Sequence, residues 1–318
     1  MFASDPAPVA RRLAPLPPGP APGASLPLPE PVGETPLVRL RRVVAGVDVE
    51  LWAKLEAANP SGSVKDRAAT AIVRAAIADR RLVPGRTLVD ASSGNTAVAY
   101  ARLAAQLGFA VRLFLPRNAN PHRLDRLRAL GAEVVLTDPA EGTEGARREA
   151  RRWAEELPAE RWFADQYNNP ENPGAHYAGT GPEIWRQSGG RLTHLVAGVG
   201  TGGTISGAGR YLKERLPALR VVAVEPTGPM HGLEGLKHLP TAERPGTYDP
   251  GIADETVRVE TEEAIAVADR VAREEQLTVG RSGGAALAAA LRVGAGSPGS
   301  VLVVIVPDAG DAEEGAVR

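Results

Sequence analysis

A lysine in the segment N-P-S-G-S-V-K-D-R, residues 59–67, is the first candidate for chemistry. Only four of the 37 basic residues are lysine, so Lys65 stands out against a strong preference for arginine. Pro60 disfavours a helix before it, and Ser61 and Ser63 can cap one, which puts Lys65 in a predicted first helical turn. A cation there opposes the helix dipole, so the neutral, nucleophilic amine is favoured. Taken alone, Lys65 also fits an ordinary solvated charge.

Two further segments follow predicted strands and present groups that bind anions. S-S-G-N-T, residues 92–96, opens a predicted helix with hydroxyl side chains and backbone N–H groups, which suit a carboxylate or a phosphate. The same residues also make a plain helix cap. G-V-G-T-G-G-T, residues 198–204, is rich in glycine and precedes a helix, which is typical of a phosphate site.

The glycine-rich segment also fits a dinucleotide site. Gly198, Gly200 and Gly203 match the pattern G-x-G-x-x-G. Glu225 ends the next predicted strand about 20 residues further on, where an acid would bind a ribose. An NAD-binding dehydrogenase is therefore an alternative on this motif, although it gives no role to Lys65 or to residues 92–96.

A third segment, G-R-S-G-G-A-A at residues 280–286, opens a predicted Ala-rich helix. The hydroxyl of Ser282 either caps that helix or contacts a ligand. The four features together supply an amine, an anion loop, a phosphate loop and a hydroxyl. Pyridoxal 5′-phosphate (PLP) needs an imine-forming lysine, a phosphate cradle and a partner for its ring nitrogen. The set therefore predicts a PLP site.

The elements that position these segments alternate between short apolar runs and amphipathic helices. Strands are predicted at V-E-L-W-A-K-L-E, T-L-V-D-A, V-R-L-F-L, E-V-V-L-T, H-L-V-A-G-V, R-V-V-A-V-E and S-V-L-V-V-I-V-P. Helices are predicted at residues 65–80, 95–107, 121–130, 143–156 and 202–215 and from Thr261 onward. This alternation predicts an α/β fold with mostly parallel sheets, whose ligands bind beyond the carboxyl ends of the strands.

A Trp-, Asn- and Pro-rich break around residues 157–192 predicts two lobes, each with a mostly parallel twisted sheet flanked by helices. We assign residues 46–157 to a smaller lobe that contains the 92–96 loop. Residues 31–45 and 158–318 are assigned to a larger lobe that contains the glycine-rich loop. Residues 1–30 are rich in Pro, Ala and Gly, and we expect them to form a mobile arm.

Bulk composition excludes several classes of function. A net charge of −1 gives no electrostatic case for nucleic acid or an anionic membrane. Cysteine is absent, which excludes disulfides, thiolate metal sites and a cysteine nucleophile, and which fits a cytoplasmic protein. No apolar run approaches the roughly 20 residues of a membrane span. The five histidines lack metal-ligand spacing, so we expect no metal.

In the order of its motifs the chain resembles the fold-type II PLP enzymes, specifically the cysteine synthase and cystathionine β-synthase group. The resemblance covers about residues 33–310 and implies a tryptophan synthase β-like fold. It rests on G-E-T-P-L-V-R-L, N-P-S-G-S-V-K-D-R, S-S-G-N-T, D-Q-Y-N-N-P-E-N-P, T-G-P-E-I-W, G-V-G-T-G-G-T-I-S-G-A-G-R-Y-L-K, V-E-P, G-R-S-G-G-A-A and V-P-D-A-G-D. The segment M-H-G-L-E-G-L-K-H-L-P-T-A is most similar to the CysM-like branch, which uses O-acetylserine or O-phosphoserine.

The resemblance implies roles for the residues at matching positions. Lys65 forms the imine with PLP and later takes the proton from the substrate Cα. The other implied cofactor contacts are Asn95 to the 3′-oxygen, Ser282 to the pyridine nitrogen, and Gly200, Thr201, Gly202, Gly203 and Thr204 to the phosphate. The implied substrate contacts are Ser92, Ser93, Thr96 and Gln166 to the carboxylate, and Lys237 to the phosphate of O-phosphoserine. Lys237 alternatively is a surface lysine on a loop.

The implied reaction is a β-replacement. The leaving group of an activated serine departs to give α-aminoacrylate, and sulfur then adds to give L-cysteine. Sulfide, thiosulfate and a carrier-protein thiocarboxylate stay open as sulfur donors, and the family implies a homodimer. Within the family the alternatives are a cystathionine β-synthase, with homocysteine as the nucleophile, and a serine/threonine dehydratase. A non-catalytic scaffold joins the dehydrogenase as an alternative from a different class.

Overall fold

The computed structural model describes residues 31–92 and 94–310, which form two sheets. The larger sheet contains β1 (Leu37–Leu40), β2 (Val49–Leu55), β7 (His194–Gly198), β8 (Arg220–Pro226), β9 (Glu255–Val259) and β10 (Ser300–Val306). The smaller sheet contains β3 (Thr87–Ala91), β4 (Ala110–Pro116), β5 (Glu133–Thr137) and β6 (Arg161–Phe163). Their spatial orders are β1-β2-β10-β7-β8-β9 and β5-β4-β3-β6. Every neighbouring pair is parallel except β1 with β2.

Helices connect most of the successive strands. They are α1 (Lys65–Ala78), α2 (Asn95–Leu107), α3 (Pro121–Ala129), α4 (Gly142–Glu156), α5 (Glu171–Ala175), α6 (Gly181–Ser188), α7 (Gly203–Lys213), α8 (Thr261–Glu275) and α9 (Arg281–Ala295). A π-helical turn, His176–Thr180, joins α5 to α6. Within the part of the chain that the structure describes, no helix is long and apolar enough to cross a membrane.

The predicted α/β fold with two mostly parallel sheets is confirmed, but strand pairing differs from the expected lobe boundaries. Strand β2 belongs to the larger sheet because it pairs with β10, and β6 belongs to the smaller sheet because it pairs with β3. Apolar periodicity predicts that a strand exists and not which sheet it joins. The lobe that we assigned to residues 46–157 therefore stays a prediction. Within the sheets, β2 belongs to the larger one although it lies inside these bounds, and β6 belongs to the smaller one although it lies outside them. The expected arm, residues 1–30, lies outside the described residues.

The centre of the larger sheet is held by apolar packing on both faces. Leu302, Val303 and Val304 of β10 are fully buried, as expected for a parallel strand covered by helices. Helix α9 lies so close to α8 that a Cβ at Gly284 would be 2.2 Å from the carbonyl oxygen of Ala264. Burial of this kind contributes roughly 25 cal/mol for each Å² of apolar surface. The carboxyl ends of the central strands are therefore a rigid platform.

Helix α1 begins at Lys65 as predicted, and of the two predicted serine caps Ser63 binds the first helical N–H, whereas the hydroxyl of Ser61 donates to Asp66. The residue before the helix is Val64, and the hydroxyl of Ser63 accepts from the N–H of Lys65 at 3.3 Å. The backbone N–H and the hydroxyl of Ser61 both donate to Asp66, at 2.7 Å each. The N–H of Val64 donates to the carbonyl of Pro307 at 2.8 Å. These bonds hold the first turn of α1 beside the end of β10.

A buried network of charges anchors α1 to the larger sheet and to α6. Arg67 donates from Nε to Glu56 at 2.6 Å and from both Nη atoms to Glu183 at 2.7 Å. Lys54 on β2 donates to Glu183 at 2.6 Å. None of the four side chains belongs to a residue more than 5% exposed. Burial disfavours the charge of Glu183, but hydrogen bonds from Arg67 and Lys54 outweigh burial and lower its pKa from 4.5 to about 2.

We expect the stability of the fold to depend on the ionisation of Glu183 in acid. Because folding lowers the pKa of Glu183 from 4.5 to about 2, its contribution is complete above pH 4.5 and is lost as the pH falls towards about 2. The free energy of unfolding of Glu183→Gln should therefore change less with pH than that of the wild type, by about 3 kcal/mol over this interval. Urea unfolding at a series of pH values measures the difference.

Glu155→Gln is the matched control, because Glu155 is exposed on α4. That variant should keep the pH dependence of the wild type. An unchanged pH dependence in Glu183→Gln would contradict the assignment of the buried network as the source of acid sensitivity.

Candidate active site

The predicted site residues converge on one cavity of about 350 Å³. It lies beyond the carboxyl ends of the parallel strands, and its volume is within the range of small-molecule sites. The predicted residues that line it are Lys65, Ser92, Asn95, Thr96, Gln166, Gly200, Thr201, Gly202, Thr204, Lys237 and Ser282. Gly203 is not among the lining residues, and it forms the first residue of α7 behind the loop. Ser93 lies outside the described residues.

The side chain of Lys65 lines the cavity from the first residue of α1. Among the described residues, none forms a hydrogen bond or an ion pair with its Nζ. Burial lowers the pKa of Lys65 from 10.5, and the carboxylates of Asp308 and Glu56 act in the opposite direction. A lowered pKa increases the neutral form of the amine, which is the form that acts as a nucleophile or base.

The turn before α7 forms a backbone cradle. Gly202 has φ of +80°, in the left-handed region that favours glycine, and α7 begins at the next residue. At Gly200 a Cβ would lie 2.0 Å from the carbonyl oxygen of Gly235. Both positions therefore require glycine. The backbone N–H groups at the start of α7 are left to bind an anion such as a phosphate.

Two hydroxyls flank this cradle. The hydroxyl oxygen of Thr201 accepts hydrogen bonds from the Asn172 amide at 3.0 Å and from the Gly203 N–H at 3.3 Å. A hydroxyl has two acceptor sites, so the proton of Thr201 is left to donate to a ligand. The hydroxyl of Thr204 lies 3.2 Å from Nε2 of His176, and burial lowers the pKa of His176 well below 6.5. His176 is therefore a neutral partner of the loop.

Asn172 is a residue of the candidate site that the sequence analysis did not assign. It lies in the motif D-Q-Y-N-N-P-E-N-P, which was available as a signal but names no partner for the side chain. The amide of Asn172 also donates to the carbonyl of Gln166 at 2.8 Å. A Cβ at Gly203 would lie 2.0 Å from its Oδ1. Asn172 therefore connects the glycine-rich loop to the strand end that carries Gln166.

The 92–96 loop and Gln166 meet at the opposite side of the cavity. The hydroxyl of Thr96 donates to the Gln166 side chain at 2.6 Å, and the Gln166 amide donates to the carbonyl of Ala91 at 3.1 Å. Ser92 is buried, and its hydroxyl accepts from a loop N–H at 3.2 Å. Below the loop, burial raises the pKa of Asp90 from 3.8 to about 7. Asp90 accepts from the Gln166 N–H at 3.2 Å and so helps to fix this side of the site.

Asn95 and Ser282 complete the predicted set. The amide of Asn95 donates to the carboxylate of Asp308 at 2.8 Å. Ser282 is 7% exposed in the first turn of α9, and the residue that precedes this helix is Gly280. The capping alternative for Ser282 is therefore wrong, and its side chain is left to line the cavity. Asp308 was quoted in V-P-D-A-G-D but not assigned, because the motif alone names no partner.

Lys237 lines the cavity but is bound to acidic and aromatic neighbours. Its Nζ donates to Glu144 on α4, and it lies 4.9 Å from the ring centre of Tyr167. Glu144 also binds Arg147 at 2.7 Å, and these partners lower its pKa below 4.5 against the effect of burial. An anionic ligand would have to share Lys237 with Glu144. Its assignment as a phosphate contact stays a prediction.

The residues of the cavity fit PLP in three respects. The 200–204 turn offers N–H groups and a hydroxyl proton in a space that a Cβ at Gly200 would fill. The Lys65 amine is unpaired among the described residues and lines the same cavity. Ser282 supplies a hydroxyl from a third element.

Within residues 31–92 and 94–310, no group of three or more acidic, histidine or cysteine side chains is arranged to hold a metal.

A two-sheet α/β fold whose cavity combines a phosphate-type loop with a lysine that is unpaired among the described residues defines an enzyme with a phosphorylated cofactor. The family model for pyridoxal-phosphate dependent enzymes matches residues 28–308. A cysteine synthase from Aquifex aeolicus (strain VF5) is 44% identical over 288 residues, which cover 88% of each chain. The chain belongs to the family of pyridoxal-phosphate dependent enzymes, within its cysteine synthase group.

Two other comparisons agree with this membership. Cysteine synthase B from Salmonella typhimurium is 40% identical over 284 residues, covering 89% of this chain and 93% of the relative. The crystal structure of cysteine synthase from Entamoeba histolytica superposes with a TM-score of 0.85 at 31% identity, covering 93% of this chain and 94% of the other. The dehydrogenase alternative is therefore wrong. Glu225, which that alternative required near a ribose, is buried and does not line the cavity.

We expect Gly200→Ala to weaken the binding of PLP. The added Cβ would lie 2.0 Å from the carbonyl oxygen of Gly235, so the backbone of the cradle has to move. A displacement of about 1 Å at such a site costs on the order of 100-fold in activity, and we expect a loss of similar size in affinity. Titration of the cofactor-free protein with PLP, followed by absorbance, measures this affinity.

Gly228→Ala is the control, because a Cβ at Gly228 meets no atom within 4 Å. This variant should bind PLP as the wild type does. Equal affinities of Gly200→Ala and the wild type would show that the 200–204 turn is not the phosphate cradle.

Proposed function

We propose that the protein is a cysteine synthase, which replaces the β-substituent of an activated serine with sulfur and releases L-cysteine. The observation that carries the proposal is that the Lys65 amine, unpaired among residues 31–92 and 94–310, shares one cavity with the 200–204 cradle. The relatives of 40% and 44% identity, both cysteine synthases, support the reaction type. O-Acetylserine and sulfide are the simplest pair of substrates for it.

In this proposal the residues around PLP have separate tasks. PLP, when bound, supplies a carbonyl group that links to amines and a ring that withdraws electrons from the substrate. Lys65 would hold the cofactor, and its amine would accept the proton from the substrate Cα. Thr201 and the 200–204 backbone would bind the phosphate, Asn95 would donate to the 3′-oxygen, and the hydroxyl of Ser282 would be the partner of the ring nitrogen. A hydroxyl partner does not hold that nitrogen protonated, which favours β-replacement over transamination.

The substrate carboxylate is proposed to bind at the start of α2. The hydroxyls of Ser92 and Thr96, the amide of Gln166 and the N–H groups of the first helical turn form one anion-binding surface. Ser93 is included from the family motif. The Thr96 hydroxyl donates to Gln166 at 2.6 Å in the structure, so binding requires this proton to turn towards the substrate.

The proposal also includes the oligomeric state of the enzyme, its location in the cell and its sulfur donor. We infer that the enzyme is a homodimer in the cytoplasm, as is expected for its family. Its sulfur donor is sulfide, thiosulfate or a carrier-protein thiocarboxylate. Light scattering after size-exclusion chromatography measures the oligomeric state, and cysteine formation with each donor in turn identifies the sulfur source.

Lys65→Ala tests the central assignment. We expect the purified wild type to show the visible absorption of lysine-linked PLP and the variant to lack it. Without a base at the Cα, cysteine formation should fall by about 100- to 10,000-fold. Absorption spectra and cysteine production from O-acetylserine and sulfide measure the two effects. A variant with the spectrum and turnover of the wild type would overturn the role of Lys65, and a wild type without turnover would support the scaffold alternative.

The same assay separates the alternatives within the family. A cystathionine β-synthase would consume O-acetylserine or serine faster with homocysteine than with sulfide. A serine/threonine dehydratase would release pyruvate from serine without any thiol. Cysteine as the main product, with pyruvate formed more slowly, is the outcome that we expect.

O-Phosphoserine is a second candidate donor, supported by the position of Lys237 on the cavity wall. A lysine binds phosphate as a point charge, and a charge-assisted hydrogen bond is worth about 1.5–3 kcal/mol. We expect Lys237→Ala to lower kcat/KM for O-phosphoserine by about 10- to 100-fold and to leave that for O-acetylserine nearly unchanged. Steady-state kinetics with both donors checks this difference.

Lys213→Ala is the matched control for Lys237→Ala. Lys213 is another of the four lysines, and it pairs with Asp254 away from the cavity. The control should leave both donors unaffected. An equal loss on both donors in Lys237→Ala would exclude a phosphate role, and its contact with Glu144 would then be the reason for the loss.

A further inference from the structure

We propose that Asp308 is a positioning residue of this active site, which orients the side-chain amide of Asn95 and places a negative charge beside the Lys65 amine. The inference rests on the proposed function, because it concerns the residues assigned to the cofactor. The family motifs used to assign the site give Asp308 no role. Its contacts argue for one.

The backbone of Asp308 is fixed between two elements of the site. Residue 308 follows β10 at the carboxyl end of the larger sheet and forms a β-bridge with Ser63. Its carbonyl accepts from the N–H of Gly280 at 3.1 Å, just before α9. The neighbouring carbonyl of Pro307 accepts from the N–H of Val64 at 2.8 Å, just before α1. Asp308 is therefore held against the starts of the helices that carry Lys65 and Ser282.

The carboxylate of Asp308 is fixed as well. Oδ1 accepts from the N–H of Gly310 at 3.0 Å, and Oδ2 accepts from the Asn95 amide at 2.8 Å. A Cβ at Gly280 would lie 2.1 Å from Oδ1, so the carboxylate packs directly on the backbone there. Because Gly280 has no side chain, the carboxylate of Asp308 can occupy this space.

The contact with Asp308 decides which end of the Asn95 amide faces it. A side-chain amide has an acceptor oxygen at one end and a donor nitrogen with two hydrogens at the other. An ionised carboxylate only accepts, so it selects the orientation in which the nitrogen of Asn95 points towards Asp308. The second hydrogen of that nitrogen is then held in place to donate to a ligand oxygen. A rotated amide would present its oxygen and repel an anionic ligand oxygen.

The charge of Asp308 acts on Lys65 at the same time. Burial lowers the pKa of Lys65, and Asp308 and Glu56 are the two acids that oppose this effect. Further charged or titratable groups lie on α1 itself and on other elements around the cavity. Asp66, next to Lys65 on α1, is bound to Ser61, and burial lowers the pKa of His176. Burial raises the pKa of Asp308, and the Gly310 N–H, Lys65, Asn95 and Arg123 oppose this effect. Arg126, Glu234, Lys237 and Arg281 also line the cavity. Loss of the Asp308 charge should therefore lower the pKa of Lys65 further.

Asp308→Asn and Asp308→Ala separate the two parts of the inference. Asparagine keeps an acceptor for Asn95 and removes the charge, whereas alanine removes both. We expect Asp308→Ala to weaken PLP binding by about 10- to 100-fold and Asp308→Asn by less than tenfold. In the Asn95→Ala background Asp308→Ala should cause little further loss, because the two residues act as a unit. Equal losses with and without Asn95 would overturn the positioning role.

Amine labelling measures the effect on Lys65 without turnover. The cofactor-free full-length protein is treated with an amine-reactive reagent over a range of pH, and labelled peptides are quantified by mass spectrometry. The chain has only four lysines, so the label on Lys65 is readily assigned. We expect the midpoint of labelling to move to lower pH in Asp308→Asn. An unchanged midpoint would overturn the electrostatic part of the inference.

Asp79→Asn serves as the control in both experiments. Asp79 lies at the far end of α1 from Lys65 and pairs with Arg81 on the surface. Its replacement should change neither PLP affinity nor the labelling midpoint. A wild type that binds no PLP would instead refute the proposed function, and the labelling midpoint would still decide whether Asp308 acts on Lys65. Circular dichroism confirms that each variant is folded.

Discussion

The ion pairs of Arg67 with Glu56 and Glu183 are the interaction on which the position of Lys65 depends. All three side chains are buried, and Arg67 lies in the same helical turn as Lys65. Separating such a pair leaves a buried charge without a partner, which costs about 3–5 kcal/mol. Helix α1 therefore cannot slide or rotate without breaking these bonds. The amine at its start is held in place by contacts that are themselves remote from the cavity.

Other walls of the cavity are fixed by close packing at glycine residues and not by ion pairs. Gly200 lies against the carbonyl of Gly235, and Gly280 lies against the carboxylate of Asp308, so neither position has room for a side chain. The side that carries Thr96 is different, because it is held by a side-chain hydrogen bond to Gln166. A bound carboxylate can replace that bond without deforming the backbone. The side that carries the 200–204 turn is therefore rigid, and the side that carries Thr96 is adaptable.

Local patterns in the sequence predicted the loops and the helices other than α5 and α6, but not the contacts between them. Residues 95–107 and 133–137 were predicted with the bounds that the structure has, because apolar periodicity is a property of the segment itself. Strand β1, strand β9 and the three-residue strand β6 were missed, since each is too short or too polar to show a period. The bond between Asn95 and Asp308 joins residues 213 positions apart, and no local pattern encodes it.

The scarcity of lysine does not by itself show which lysine has a chemical role. The hydrogen-bond partners of each lysine are needed to separate a structural role from a chemical one. Lys54 is fully buried, and its ammonium donates to Glu183, Gln187 and the carbonyl of Thr35 at 2.6 to 2.9 Å. Three converging acceptors suit a tetrahedral ammonium and not the planar fork of arginine, so this lysine is required by geometry. Lys65 has the opposite environment, since no described group binds its amine. A buried ammonium with three acceptors stabilises the fold, whereas an unpaired amine in a cavity is left to react with a ligand.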